Sequence, residues 1–170
     1  FYGDPATVNN VETISSVPNI VENGAEGYTK YGTEKSPGTM LFAISGPVKN
    51  PGVYELQYGN KMIDFLNEVG GGMLDGKKLK AVIPGGTSCP ILTAEEVEKA
   101  VLDYESMWDI GSTLGTGGMI VIDDSACMVE VAKNIIEFYH HESCGQCTPC
   151  REGCGWIDKI IREIIEGCGS

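Results

Sequence analysis

The sequence predicts an α+β chain of 170 residues, in which a small domain of short strands and helices precedes a helical bundle. Three observations point there. Short apolar runs bounded by Gly and Pro recur through the middle of the chain, as strands and tight turns require. From about Met128 the apolar spacing becomes helical and stays so. Between the two terminal helical stretches, Cys144, Cys147, Cys150 and Cys154 fall close together.

Residues 1–38 read as an irregular lead-in with one helical piece. A helix starting near Pro18 would put Ile20, Val21 and Ala25 on one side, and Gly24, Gly27, Gly32 and Pro37-Gly38 break the segment up. Met40–Ile44 is a short apolar strand, and Val53–Leu56 is a second. Asn50-Pro51-Gly52 between them predicts a type II turn, with Pro at i+1 and Gly at i+2. Met62, Ile63, Phe65, Leu66 and Val69 are spaced as a helix that ends at Gly70-Gly71-Gly72. Leu79–Ile83 predicts a third strand, closed by Pro84-Gly85-Gly86. Hairpin, helix, strand is the β-grasp order. Thr93-Ala94-Glu95-Glu96 carries the capping-box pattern, so a helix is expected to run to about Leu102. Met119–Ile122 is a further short strand.

After Ser125, Met128, Val131, Ile135 and Phe138 line one face of a helix reaching His140 or His141. The last helix carries Ile157, Ile160, Ile161, Ile164 and Ile165 in a continuous stripe, with Asp158–Arg162 and Arg162–Glu166 as i, i+4 pairs on its polar side. The predicted boundaries are a lead-in at 1–38, a β-grasp domain at 39–122 and a helical bundle at 123–170.

Composition excludes several classes of function. Lys and Arg number 12 against 24 Asp and Glu, a net charge of -12. Counterion release from nucleic acid needs clustered basic residues, so no nucleic-acid partner is expected. The acidic surface serves solubility, or a basic partner subunit. The apolar runs are far shorter than the ~20 residues that span a bilayer, so no direct membrane insertion is expected. The chain begins at Phe1 and stops just after a helical run, which predicts a piece of a longer protein.

Seven cysteines is an odd count, and clustering is not the pattern of a secreted disulfide framework. Cys144, Cys147 and Cys150 form C-x2-C-x2-C, the spacing with which a polypeptide wraps an iron–sulfur cubane so that successive thiolates reach different irons. Cys154 extends the run to the ferredoxin spacing, although Gly155 stands where Pro normally follows. A second run, as a two-cluster ferredoxin needs, is missing, so one [4Fe-4S] cluster is the expected count. Two other readings stay open on spacing: structural zinc with His140 or His141 nearby, and a redox dithiol through Cys144 and Cys147. Cys154 and Cys168 read as small residues on helices, and Cys89 and Cys127 as buried and inert.

Glu142-Ser143-Cys144-Gly145-Gln146-Cys147-Thr148-Pro149-Cys150-Arg151-Glu152-Gly153 resembles the cluster motif of the NADH-binding flavoprotein subunits of complex I, the NADH:quinone oxidoreductases. The resemblance extends over essentially all 170 residues. Pro5–Thr13 resembles the end of that family's flavin-binding domain. Gly46–Tyr54 resembles its SLBB β-grasp domain, and Leu114–Asp123 the stretch leading into the cluster helices. Flavoprotein subunits of soluble NAD-linked hydrogenases and formate dehydrogenases carry similar motifs.

The resemblance implies an oxidoreductase subunit. In it NADH gives hydride to FMN, and electrons pass singly through a [4Fe-4S] cluster towards quinone, which is reached indirectly through the other peripheral-arm subunits. Cys144, Cys147 and Cys150 would be three ligands, and the fourth is implied to lie beyond this chain. Val8, Asn9 and Asn10 match positions that line the FMN site; the segments that cradle NADH and the FMN phosphate would precede Phe1. This chain alone is therefore expected to be inactive with NADH, and to hold its cluster weakly. The implied location is the cytoplasmic or matrix side, peripheral to the membrane. A rival in another class is a β-grasp interaction module whose cysteine site stays empty.

Overall fold

Asn10 starts the first helix, α1 (Val11–Thr29), its Oδ1 accepting the N–H groups of Glu12 and Thr13 at 2.9 and 3.2 Å. The expected start near Pro18 is wrong. A strong Asn cap sets the start at Val11, and the helix runs through Pro18 before Gly24 (φ 74°) kinks it. Of the expected apolar side, Ile20 is half-buried, while Val21 and Ala25 are exposed. The computed structural model describes residues 1–168. These form two compact units, Phe1–Ile122 and the residues from Asp123 on.

In the first unit, five strands make one mixed sheet: β1 (Thr39–Ser45), β2 (Gly52–Gln57), β3 (Leu79–Ile83), β4 (Leu92–Thr93) and β5 (Gly118–Asp123), in the order β2-β1-β5-β3-β4. β1 runs antiparallel to β2 and parallel to β5, and β3 runs antiparallel to β4. This is the β-grasp arrangement, and the overall class is α+β. Period-2 alternation drives β1: Met40, Phe42 and Ile44 are buried, while Leu41 points outward.

The reversal between β1 and β2 differs from expectation. Gly52 lacks a positive φ and pairs with Ile44 as the first residue of β2. The chain instead turns at Gly46 (φ 101°), and the N–H groups of Lys49 and Asn50 bond the carbonyls of Gly72 and Gly70. That tertiary pinning replaces a tight type II turn.

Helix α2 (Met62–Asp64) widens into a π turn over Phe65–Val69, closed by Gly70 N–H to Phe65 C=O at 2.9 Å. Its Met62, Phe65 and Leu66 are buried and pack with Phe42, Val82, Met107 and Met119 in the core. The capping box of α3 (Ala94–Val97) forms as expected, Glu96 accepting Thr93 N–H at 2.7 Å. The helix stops at Val97, short of Leu102, because Val101 and Leu102 take strand-like partners. Leu102 N–H bonds Asn60 C=O at 2.8 Å, and Gly59 N–H bonds Leu102 C=O at 3.0 Å. Buried Asp103 then caps α4 (Tyr104–Asp109), accepting Ser106 N–H at 2.7 Å.

The lead-in is tied to this unit by side chains. Glu12 accepts Leu41 N–H at 2.7 Å, and Glu105 accepts the Ser36 and Thr33 hydroxyls at 2.5 and 2.8 Å.

In the second unit, α5 (Met128–Glu142) packs against α6 (Thr148–Ile165). Arg162 bonds Asp158, as the spacing predicts, and also reaches Glu137 on α5. Phe138 is exposed rather than on the packed face, and so are Ile157, Ile160, Ile164 and Ile165. Ile161 alone of the predicted stripe is half-buried. Two helices bury one seam, and a stripe as wide as this one exceeds it. Cys127, expected to be buried, is exposed at the start of α5, whereas Cys89 is buried as expected.

Candidate metal centre

The loop Ser143–Cys147 joins α5 to α6, and Gly145 (φ 74°) adopts the left-handed conformation that lets it reverse there. Cys147 occupies the cap position of α6, Pro149 the first turn, and Cys150 the same turn. Cys144, Cys147 and Cys150 are all exposed. Cys147 makes no side-chain cap bond.

Around these thiols the polar contacts are specific. Ser143 Oγ lies 3.4 Å from Cys150 Sγ and accepts Gly145 N–H at 3.3 Å. Arg151 donates to Gly145 C=O at 2.9 Å and to Thr148 Oγ1 at 3.4 Å, and pairs with Glu152 at 3.0 Å. Half-buried Cys154 stands one turn beyond Cys150, the two sulfurs 4.0 Å apart. Burial, then the Cys150 contact, pushes the Cys154 thiol up.

Among the described residues, no three His, Cys, Asp or Glu side chains converge closely enough to hold a metal ion. His141 pairs with Glu142 at 2.9 Å. His140 lies over Gly155, where a Cβ would sit 3.1 Å from its Nε2. The donor chemistry nevertheless fits an iron–sulfur cluster: three accessible soft thiols lie in the loop before α6, at its cap and in its first turn, and a helix N-terminus favours negative charge through its free N–H groups and dipole.

Val8, Asn9 and Asn10, expected to line a flavin site, belong to the first unit. Val8 and Asn9 are exposed, and Asn10 spends its side-chain oxygen capping α1. Asn10 also lines a cleft of about 780 Å³ beside α1, with Tyr28, Tyr31, Leu41 and Glu55. A neighbouring cleft of about 460 Å³ is lined by Asn10, Tyr58 and Thr116 among others. Burial and the neighbouring Tyr104 raise the Tyr58 hydroxyl above its ordinary pKa. Cysteine spacing does not point to Ser143 as a partner of the thiols; its position immediately before Cys144 is the one signal the sequence offers.

Residues 130–170 match the NADH-ubiquinone oxidoreductase-F iron-sulfur binding region, and residues 40–122 match an SLBB domain. The protein is 49% identical to the F 2 subunit of the NADH-quinone oxidoreductase of Rhizobium meliloti (strain 1021), over 99% of this chain and 40% of that protein. It is 46% identical to the F subunit of the NADH-quinone oxidoreductase of Mycobacterium tuberculosis (strain ATCC 25618 / H37Rv), over 99% of this chain and 38% of that one. A crystal structure of an air-oxidized NAD+-reducing [NiFe]-hydrogenase aligns with a TM-score of 0.83 at 36% identity. That alignment covers 97% of this chain and 28% of the hydrogenase chain. The chain thus spans about two fifths of the length of these curated relatives. By sequence it belongs to the family of F-type subunits of NADH-quinone oxidoreductase, and carries that family's iron–sulfur-binding region after an SLBB domain.

Proposed function

We propose that this chain supplies the iron–sulfur end of an NADH-oxidising subunit of complex I. Cys144, Cys147 and Cys150 would hold a [4Fe-4S] cluster, which supplies one-electron transfer when bound. The observation that carries this is the C-x2-C-x2-C run, placed with three accessible thiols between two packed helices, inside the matched iron–sulfur region. The chain's own residues have separable tasks. The thiols bind as thiolates, Gly145 lets the loop reverse, and the first-turn N–H groups of α6 offset negative charge.

In the complete subunit, NADH and FMN would bind, with Val8, Asn9 and Asn10 near the flavin, and other peripheral-arm subunits would receive the electrons on the way to quinone. The site would lie on the cytoplasmic or matrix side. No described helix is long and apolar enough to cross a membrane.

A second reading rests on the hydrogenase alignment: the chain would then be part of the flavoprotein subunit of a soluble NAD-linked hydrogenase or a formate dehydrogenase. Affinity purification of the full-length protein tests both. Brown protein with iron–sulfur charge-transfer absorption and complex I subunits supports the first reading. The same colour with hydrogenase or formate dehydrogenase subunits supports the second. Colourless protein that still captures partners would leave only an interaction module.

A further inference from the structure

Gly145 is gripped from both sides. Its N–H is taken by Ser143 Oγ at 3.3 Å, and its carbonyl by the Arg151 guanidinium at 2.9 Å. The Ser143 hydroxyl also lies 3.4 Å from Cys150 Sγ. A hydroxyl has one hydrogen and two lone pairs, so accepting from Gly145 leaves its hydrogen free. Cysteine ligates metal as a thiolate, which has no hydrogen to give, so the direction of the contact is then settled: Ser143 donates and the sulfur accepts.

We infer that Ser143 is a positioning residue for the metal-binding sulfur of Cys150, with Arg151 holding the intervening loop so that the hydroxyl stays in place. The inference rests on the proposal that Cys150 is a cluster ligand. Two consequences follow. The bond orients the sulfur before metal arrives, as outer hydrogen-bond partners of ligands do. It also draws negative charge from the sulfur and so favours the reduced, more negative state, since hydrogen bonds to the sulfurs set the potentials of such clusters. Arg151 acts one step further out, through Gly145, and its second bond to Thr148 Oγ1 anchors the loop to the first turn of α6.

The test is redox potentiometry, followed by electron paramagnetic resonance, on the full-length protein reconstituted anaerobically with iron and sulfide. Wild type would be compared with Ser143→Ala, Ser143→Thr and Cys150→Ala. Ser143→Ala is expected to keep its helical circular dichroism and show a more negative midpoint potential, and Ser143→Thr to restore the wild-type value. Iron lost from Ser143→Ala but kept by Ser143→Thr would equally support the hydroxyl's role. A wild-type potential in Ser143→Ala, or iron lost from both Ser143 variants, overturns the inference. Full iron in Cys150→Ala, or none in wild type, would overturn the underlying ligand assignment, a failure distinct from that of Ser143.

Discussion

The carboxylate of Glu12, in the first turn of α1, accepts the backbone N–H of Leu41 on β1 at 2.7 Å. The parallel pairing of β5 with β1 begins only at Ala43, so Glu12 serves a donor that lies just beyond the end of β5. A lead-in helix without a single buried residue is in this way attached to the sheet. Glu12→Ala should lower the stability of the first unit by about 1 kcal/mol, the usual net worth of such a bond. Glu12→Gln, which keeps an acceptor, should recover most of it. Urea unfolding followed by tyrosine fluorescence measures both, and equal midpoints for wild type and Glu12→Ala would contradict the attachment.

The second tie predicts a pH dependence. Hydrogen bonds from Ser36 and then Thr33 hold the Glu105 carboxyl below its ordinary pKa. A carboxyl depressed in the folded state stabilises the fold above its unfolded pKa, and that contribution fades as pH falls through the folded value. Wild type should therefore be more stable than Ser36→Ala at neutral pH, and the gap should narrow below the usual Glu range of about 4. Denaturant midpoints at several pH values decide the matter. A gap that widens on acidification would refute it.

Gly85 marks a close approach of two loops in the first unit. A Cβ there would lie 2.0 Å from the carbonyl oxygen of Leu114, a backbone atom that cannot swing away. Gly85→Ala should cost about 1–3 kcal/mol, the range for overpacking, and Phe42→Ala in the core about 3–5 kcal/mol. Thermal unfolding of the two variants would show both losses.

Between α5 and α6 the charges matter less. Arg162 bonds Asp158 at 2.9 Å and reaches Glu137, but the guanidinium is well exposed. Exposed ion pairs contribute little and are screened by salt. Arg162→Gln should lower the melting temperature slightly at low salt and not at all near 1 M, where the screening length is about 3 Å.

Periodicity made the regular elements legible and left their tertiary terms hidden. Met40, Phe42 and Ile44 read as a strand because alternation is a local property. The parallel pairing of β1 with β5 leaves no mark in either strand. The Pro18 signal misled because the Asn10 cap and the exposed setting of α1 outweighed one missing N–H. Thr93 and Glu96 announced their helix, but its end was decided by Asn60 and Gly59, far back in the chain. At the candidate site, C-x2-C-x2-C was legible as chemistry because ligand spacing is short-range. The contacts of Ser143 and Arg151 with Gly145 depend on how the loop folds back on α6, which no spacing encodes. Cys127 reads as buried beside apolar neighbours, yet it faces solvent because it precedes the first turn of α5.

Iron and acid-labile sulfide per chain, measured after anaerobic reconstitution of the full-length protein and of its Cys147→Ala variant, bear most directly on the proposed cluster. Ligation by Cys144, Cys147 and Cys150 predicts about four of each in wild type, the content of one [4Fe-4S] cluster, and loss of both from Cys147→Ala with its helical signal kept. Near-zero iron in wild type, or unchanged iron in Cys147→Ala, would contradict it.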